Sequence, residues 1–298
     1  MKGLRLYVIF ATTLFSMELI PLIADYWKMD GGVAFGVVPK TLWTKAYPED
    51  QDNLIRIVTR CLLIKSGSSV ILIDAGMGDK RDEKYYNWKY RFGSSGIAEA
   101  LLRVGTLPGE VTDVLFTHLH DDHVGGATYT NDEGCICEVF PNATYWCSET
   151  HWNWAQNSNV RESAAYFSDN LDPLEKSGRL RLIAGEGEWL AEIRLRMFNG
   201  HTRGQVVPVI PVGETKVVFT ADFIGSKANI PVHYIPAVDI DPLTSMIEKE
   251  AFLAEAADNR YILMFEHDYY CEACFIERTG NGYAAGKELK LNELNLNS

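Results

Sequence analysis

Four potential metal ligands lie within six consecutive residues of this chain. The stretch 118–123, His-Leu-His-Asp-Asp-His, offers imidazole nitrogens and carboxylate oxygens, a mixture suited to zinc, iron, manganese or nickel. It contains no thiolate, which argues against a closed structural zinc site. The alternative is a group of buried core histidines, but each of them would need a polar partner of its own. The density of ligand types therefore favours a metal site.

The cluster stands where a buried strand is expected to end. The apolar run 114–117 precedes it and Gly125-Gly126 follows, which is typical of a strand, a turn and a helix. Three further candidate ligands also stand at the ends of apolar runs, namely His201, Asp222 and His267. Because sites in open α/β sheets gather beyond the carboxyl ends of strands, we expect these segments to converge.

Periodicity predicts the elements that must position these ligands. Strands are expected over 53–65, 69–74, 114–117, 144–147, 193–198, 206–212, 216–221 and 262–265, and helices over 95–104, 149–167 and 242–258. Hairpin-like pairs combined with strand-helix alternation fit an α/β fold, an αβ/βα sandwich of two mixed β-sheets flanked by helices. No linker or repeat divides the chain, so residues 1–298 are expected to form a single domain.

The order of these motifs resembles the metallo-β-lactamase superfamily. The chain has a strand-Asp-Gly turn at 71–78, H-x-H-x-D-H at 118–123, Gly-His-Thr at 200–202, an Asp after an apolar strand at 222, and a late His at 267. The resemblance runs from about residue 30 to about residue 270. It is a strong signal for the fold and the metal site, and a weak one for the substrate, because this fold hosts many hydrolytic reactions.

The resemblance implies two zinc ions per chain. The first would be bound by His118, His120 and His201, and the second by Asp122, His123 and His267. Asp222 would bridge both, together with a water or hydroxide, so that Asp122 and Asp222 carry the catalytic roles. Asp74 would orient a ligand without binding metal, the alternative being a plain turn carboxylate. Asp121 is interpreted as a non-ligand.

Charge excludes some classes of function. The net charge is −12, and the chain has no basic stripe of the kind that a phosphate backbone requires, so we expect no nucleic-acid partner.

Cys271-x-x-Cys274 lacks a second pair, and we interpret the six cysteines as reduced thiols. The sequence leaves open whether the protein is a monomer or a homodimer.

The N-terminus has two interpretations. Lys2 and Arg5 precede the apolar stretch 6–14, which mimics a signal peptide but lacks a small-x-small cleavage site. The stretch is too short and interrupted for stable membrane insertion. We therefore expect a cytoplasmic protein, with a periplasmic or secreted one as the alternative.

A two-metal site of this kind implies hydrolysis. Two cations that share a water lower its pKa toward neutrality, and the bridging hydroxide can attack a carbonyl or phosphoryl centre. No G-x-S-x-G motif supplies a serine nucleophile. The segments 30–40, 140–143 and 239–244 resemble the lactonase-like branch, which includes N-acyl-homoserine lactonases. The leading hypothesis is a zinc-dependent hydrolase that opens the lactone ring of N-acyl-L-homoserine lactones, the small acylated signals of quorum sensing.

Three alternatives remain at this point. One is an organophosphate triester or carboxylic ester hydrolase with the same metals. Another is a ligand-binding regulator with a vestigial metal site, although the intact ligand set argues against it. The third is a diiron redox module, which would need a flavin-binding domain for which the chain has no spare length.

The acyl tail is expected to bind among apolar and aromatic residues. The candidates are Leu19, Leu22, Tyr26, Trp27, Phe35, Trp43 and Tyr234, with core packing as the alternative for each. Residues 11–28 are expected to form a lid insertion, kinked at Pro21. Gly225 departs from the resemblance, because many homoserine lactonases carry a tyrosine there that contacts the substrate carbonyl. Tyr234 and His233 are the candidates to replace it.

Overall fold

Two β-sheets form the centre of the computed structural model, which describes residues 17–94 and 96–294. Its strands are β1 (Glu18–Asp30), β2 (Leu54–Ser66), β3 (Ser69–Ile73), β4 (Gly93–Ser94), β5 (Asp113–Leu115), β6 (Thr128–Thr130), β7 (Ile136–Glu138), β8 (Thr144–Ser148), β9 (Leu180–Ile183), β10 (Gly187–Glu188), β11 (Arg194–Phe198), β12 (Gln205–Val212), β13 (Thr215–Phe219), β14 (Ile262–Met264), β15 (Ala273–Thr279) and β16 (Gly282–Leu289). Its α-helices are α1 (Gly31–Phe35), α2 (Lys40–Trp43), α3 (Glu83–Trp88), α4 (Gly96–Arg103), α5 (Asp121–Val124), α6 (Glu149–Gln156), α7 (Ser168–Lys176) and α8 (Pro242–Asp258). Among these helices, none combines the length and the apolar character that a membrane crossing requires.

Both sheets are mixed, as predicted. The first has the strand order β4-β1-β2-β3-β5-β8-β9, and the second runs β10 to β16 in sequence order. Parallel pairs β3–β5, β5–β8 and β8–β9 continue the antiparallel β1–β2–β3 part of the first sheet. In the second sheet β13 and β14 are parallel and the other neighbours are antiparallel.

Alternation along β2 explains how the sheets face each other. Leu62 and Ile64 belong to a core that also contains Phe219 of the second sheet, whereas Leu63 belongs to a core with Leu101 of α4. Since successive strand residues point to opposite faces, an unbroken apolar run fills both sides of the sheet. The first sheet is therefore covered by the second sheet on one face and by helices on the other.

The second sheet is covered in the same way. Val218 of β13 and Leu263 of β14 pack in a separate core with Phe252 and Leu253 of α8. Two sheets lie inside and helices lie on both outer faces, which confirms the predicted αβ/βα sandwich.

The expected lid at 11–28 is wrong over residues 18–28. These residues belong to β1, which pairs with β2 along its whole length, while residues 11–16 lie outside the described range. Pro21 stays within β1, opposite Leu62 of β2, and the register shift of this pair lies farther along, between Ile23 and Asp25. In the described residues β4 pairs with β1 at Asp25 and Tyr26, so Pro21 lies outside that pairing, at a position that tolerates a missing N–H.

Other differences lie away from the sheet centres. The helix predicted over 149–167 ends at Gln156 in α6. Asn159 follows, and its side-chain oxygen accepts the backbone N–H of Arg161 at 2.8 Å and that of Glu162 at 3.3 Å, a local turn that competes with helix formation. The β15–β16 hairpin was not predicted, because its residues do not alternate clearly between apolar and polar.

Candidate metal centre

Four strands bring their following residues to one place. His118, His201, Asp222 and His267 each lie three residues beyond the end of a strand, after β5, β11, β13 and β14 respectively. The strands are held in the sheets by backbone hydrogen bonds, so the loops that follow them start from fixed positions. The structure thus brings together all seven of the predicted metal-binding side chains.

The first group of candidate ligands consists of His118, His120, His201 and Asp222, whose ligand atoms all lie within 4.8 Å of one another. Nδ1 of His120 lies 3.2 Å from Nε2 of His201. Oδ2 of Asp222 lies 3.1 Å from Nε2 of His201 and 3.7 Å from Nε2 of His118. The three imidazoles are buried, and one carboxylate oxygen faces two of them.

The second group consists of Asp122, His123 and His267. Nε2 of His123 lies 3.7 Å from one oxygen of Asp122, and Nε2 of His267 lies 3.8 Å from the other. Asp222 also faces this group, with Oδ1 at 2.7 Å from Nε2 of His267 and Oδ2 at 3.6 Å from Nε2 of His123. Asp222 therefore lies between the two groups, as a bridging ligand must.

Electrostatic coupling to Asp222 is strong. Although burial opposes a charged imidazole, the Asp222 carboxylate raises the pKa of His201 to about 10 and that of His267 to about 9. Although burial also opposes a charged carboxyl, His267, His123 and His201 hold the pKa of Asp222 well below its usual value. Burial and the neighbouring imidazoles lower the pKa of His118, which leaves it neutral, the state that binds metals.

The unpaired atoms of the centre fit metal ions. Nε2 of His118 and Nε2 of His123 are buried and, within the described part of the chain, have no hydrogen-bond partner. Buried polar atoms are usually satisfied, so each such nitrogen calls for a partner that protein atoms do not supply. A cation in each ligand group would satisfy the nitrogen of that group, and the imidazole and carboxylate donors are of the kind that zinc and related metals accept.

Asp74 occupies the place that an orienting residue should occupy. Its carboxylate accepts the backbone N–H of Thr117 at 2.8 Å and the Thr117 hydroxyl at 2.6 Å. Its Oδ2 also lies 3.1 Å from Nδ1 of His123, which leaves Nε2 of that ring directed at the centre. Asp74 has a positive φ of 57°, a conformation that aspartate tolerates better than most residues.

Three buried or half-buried carboxylates of the centre were not predicted. Oε1 of Glu266 lies 3.2 Å from Nδ1 of His123, Oε1 of Glu162 lies 3.4 Å from Nε2 of His120, and Oδ1 of Asp239 lies 3.0 Å from Nδ1 of His201. Glu162 and Asp239 thereby orient their imidazoles from behind, as partners of metal-binding histidines commonly do. The Glu266 oxygens have no hydrogen-bond partner in the described residues, and Nδ1 of His123 is bonded to Asp74. Glu266 directly precedes His267 in the chain and was the one with a local signal, whereas Glu162 and Asp239 lie 42 and 38 residues from their partners.

Asp121 has partners outside the centre. It belongs to none of the ligand groups in the described residues. Its Oδ2 accepts the hydroxyl of Tyr85 and lies 3.1 Å from Nζ of Lys89, both from the α3 segment. These contacts agree with its interpretation as a non-ligand.

An apolar pocket opens beside the centre. Three candidate ligands, His201, Asp222 and His267, form one end of it. Its apolar wall consists of Met29, Ala34, Ile55, Ile57, Pro236 and Val238, and its other lining residues are Tyr47, Gly225, Ser226 and Asn229. An apolar wall with candidate metal ligands at one end suits a small molecule that has a polar and an apolar part.

None of the seven residues predicted for the acyl tail is among those that line this pocket. The prediction is wrong for Leu19 and Leu22, which point from β1 into the two cores on either side of the first sheet. Trp27 packs behind the centre, with its ring edge toward His267 at 6.0 Å and its Nε1 bonded to Thr59.

The remaining four predicted residues also lie outside the lining of the pocket. Phe35 stacks on Trp43 at 5.0 Å between ring centroids, and Tyr234 contacts Phe35 edge-on at 6.3 Å. Tyr26 lies beside Tyr269 at 6.2 Å. The sequence located the right region for Phe35 and Trp43, but burial turns their rings into support for Ala34 and Met29.

The fold and the donor set define a metal-dependent hydrolase. The chain belongs to the metallo-β-lactamase superfamily, whose sequence profile matches residues 55–267. This range includes all seven candidate ligands, from His118 to His267.

Individual relatives are more distant. N-acyl homoserine lactonase AiiA of Bacillus thuringiensis subsp. kurstaki is 23% identical over 227 residues, covering 72% of this chain and 83% of the relative. A "probable metal-dependent hydrolase" from Staphylococcus aureus superposes with a TM-score of 0.82 at 28% identity, covering 94% of this chain and 100% of the other. AidC, a dizinc quorum-quenching lactonase in complex with a product, N-hexanoyl-L-homoserine, superposes with a TM-score of 0.76 at 21% identity, covering 93% of this chain and 96% of the other.

Proposed function

We propose that this protein is a dinuclear zinc hydrolase that opens the lactone ring of N-acyl-L-homoserine lactones. The observation that carries the proposal is the junction of the two ligand groups with the apolar pocket, which share His201, Asp222 and His267. A substrate with a polar lactone ring and an apolar acyl tail would place the ring at the ligand groups and the tail along the apolar pocket wall. The likeness to proteins named as N-acyl homoserine lactonases supports the same substrate class.

The seven side chains have distinct roles in this proposal. His118, His120 and His201 hold one zinc, Asp122, His123 and His267 hold the other, and Asp222 joins them. When bound, the two zinc ions supply a water of lowered pKa and Lewis-acid centres for the oxygens of the reacting ester. Asp74, Glu162 and Asp239 keep the imidazoles that they contact oriented.

The pocket wall contributes apolar contact without hydrogen bonds to the substrate. Tyr47 donates its hydroxyl to the Arg56 carbonyl at 2.8 Å, and Ser226 donates to Oδ1 of Asn229 at 2.6 Å. The amide of Asn229 donates to the carbonyls of Ala34 and Tyr234 at 3.1 and 3.4 Å. Within the described lining, the hydroxyl and amide donors beyond the ligands are thus already engaged.

Gly225 leaves space in this wall. Its φ of −66° and ψ of −24° suit any residue, and a Cβ atom there would meet only His267 atoms, at 3.7 and 3.8 Å. The expected replacements for a tyrosine at this position are not found in the lining, since His233 is exposed and Tyr234 packs on Phe35. We infer that polarisation of the substrate carbonyl depends on the metals alone.

One assay tests the proposal against its alternatives. Zinc-loaded protein of measured metal content is given acyl-homoserine lactones of short and long acyl chains, a paraoxon-type triester and simple carboxylic esters. Ring opening with the highest kcat/KM supports the lactonase. Preferential turnover of the triester or the simple esters favours the related hydrolase. If a metal-replete sample turns over none of these substrates, the proposal of an enzyme is overturned and a ligand-binding regulator is favoured.

A further inference from the structure

Lys249 on α8 is buried, and neither the metal centre nor the pocket lining includes it. Lys249 is 1% exposed, although lysine is almost never fully buried unless it is paired. Its Nζ donates to the backbone carbonyl of Tyr234 at 2.9 Å. Burial lowers the pKa of Lys249 to about 7, and Asp239 is the charged group that opposes this shift. A group that is this costly to bury points to a specific task.

Ser245 lies one helical turn before Lys249 and shares its face of α8. It is also buried, and its hydroxyl donates to Oδ2 of Asp239 at 2.5 Å. The other oxygen of Asp239 lies 3.0 Å from Nδ1 of His201. An unbroken chain of polar contacts therefore links α8 to a candidate metal ligand.

The backbone before His201 is pressed against the same helix. A Cβ atom on Gly200 would lie 2.2 Å from Oγ of Ser245, so only glycine allows this approach. The Glu248 carboxylate accepts the backbone N–H of Asn199 at 2.9 Å and that of Gly200 at 3.1 Å. His201 is thus located by α8 through its backbone and oriented by α8 through its ring.

The carbonyl held by Lys249 belongs to the segment that forms the pocket wall. Residues 230–239 include Tyr234, and Pro236 and Val238 of this segment line the pocket. The same segment ends at Asp239, the partner of His201. Further contacts anchor its backbone: the N–H of Ala237 donates to the Val33 carbonyl at 2.8 Å, the Ala237 carbonyl accepts the Arg161 guanidinium, and the Tyr234 carbonyl also accepts the Asn229 amide at 3.4 Å.

We propose that Ser245 and Lys249 are positioning residues: Ser245 fixes the His201 ring through Asp239, and Lys249 fixes the pocket wall through the Tyr234 carbonyl. Neither side chain is among those lining the pocket or forming the ligand groups. One face of α8 thereby sets the metal centre and the substrate wall relative to each other. The inference goes beyond the proposed function, because it requires no particular substrate.

The Ser245 half is tested by zinc affinity, measured by chelator competition on the folded holoenzyme. Ser245→Ala should weaken binding of one of the two zinc ions about 10- to 100-fold, the range typical for loss of an orienting partner. Asp239→Asn should act in the same direction without any change in α8. Ser168→Ala, at an exposed serine at the start of α7, is the matched control and should keep wild-type affinity.

A merely structural role for Ser245 would lower the thermal midpoint and leave zinc affinity unchanged in the folded protein. Wild-type zinc affinity in both Ser245→Ala and Asp239→Asn would overturn this half of the proposal. Because affinity is measured without substrate, the result does not depend on whether the protein is a lactonase.

The Lys249 half is tested by hydrogen–deuterium exchange of zinc-loaded protein. Lys249→Met should speed amide exchange in residues 230–239 several-fold, since that segment loses an anchor, and should leave zinc affinity at the wild-type value. Lys287→Met, at an exposed lysine of β16, is the control. Lys249→Gln provides a second variant that keeps a donor on a shorter side chain. Unchanged exchange of residues 230–239 in both folded Lys249 variants would overturn this half.

Discussion

The metal centre and the pocket beside it differ in whether their polar side-chain atoms have hydrogen-bond partners. In the centre, Nε2 of His118 and Nε2 of His123 are buried without a hydrogen-bond partner in the described residues. In the pocket, the donors of Tyr47, Ser226 and Asn229 are all bonded to protein oxygens. Cations would therefore satisfy the unpaired nitrogens of the centre, whereas the side-chain donors of the wall are already bonded and leave apolar contact for a ligand. In the proposed function the metals would supply the chemistry and the wall would select the substrate.

The largest expected effect separates ligand from non-ligand within one motif. Asp122→Asn removes a charged ligand of the second group, and we expect loss of one zinc and a fall in kcat on the order of a thousandfold. Asp121→Asn makes the same chemical change one residue earlier, at a side chain held by Tyr85 and Lys89. It should keep both zinc ions, as measured by elemental analysis. Equal zinc loss in both variants would contradict the assignment of ligands.

A substitution in the core of the first sheet should lower the stability of the protein without changing substrate binding. Leu22→Ala deletes a side chain that is 3% exposed in the core between β1 and α4, and should lower the free energy of unfolding by about 2–5 kcal/mol. Urea unfolding gives the loss, and KM for long-chain lactones should stay unchanged. A raised KM would restore a pocket role for this residue.

A smaller effect should distinguish bulk from hydrogen bonding in the pocket. Gly225→Phe fills the space beside His267 and should raise KM for long-chain lactones about tenfold relative to short ones. Gly225→Tyr adds the same bulk with a hydroxyl, so any gain in kcat over the phenylalanine variant measures the value of a missing donor. Gly185→Phe, where a Cβ atom meets nothing within 4 Å, is the control. Equal KM values for all chain lengths would place the acyl tail elsewhere.

The last expected effect is on the pH dependence of stability. Lys249 has a pKa of about 7 in the folded protein and an ordinary value of 10.5. Between these values the unfolded chain binds more protons, so the free energy of unfolding should rise with pH by up to about 1.4 kcal/mol per unit. Lys249→Met lacks this contribution, and its rise between about pH 7 and about pH 9 should be flatter in urea titrations of zinc-loaded protein. Parallel curves would show that Lys249 is protonated in both states.

Much of the metal centre could be predicted because its signals are local. His118, Asp222 and His267 each follow a short apolar run, and the strand ends place them three residues into a loop. The residues behind the rings could not be found in this way. Glu162 and Asp239 contact His120 and His201 only because separate loops meet in the folded chain, and no spacing in the sequence indicates such contacts.

The segment 18–30 shows the opposite outcome. Its apolar residues and Pro21 were interpreted as part of a kinked lid. Periodicity alone cannot separate a helical lid from a buried strand in such an apolar run. Pairing with all of β2 decided the matter, and with it the direction of Leu19 and Leu22. Once these residues are strand residues, alternation sends them into opposite cores and away from the pocket.

By itself the sequence determined the ligand types, their order, and the alternating apolar runs that make two mixed sheets with helices outside. These follow from local chemistry, since donor atoms and period-two patterns belong to single segments. Only the tertiary structure decided which carboxylates orient the imidazoles and which residues form the pocket wall. Met29, Ile57 and Pro236 share that wall because β1, β2 and the segment held by α8 meet there, and such meetings depend on the packing of the whole domain.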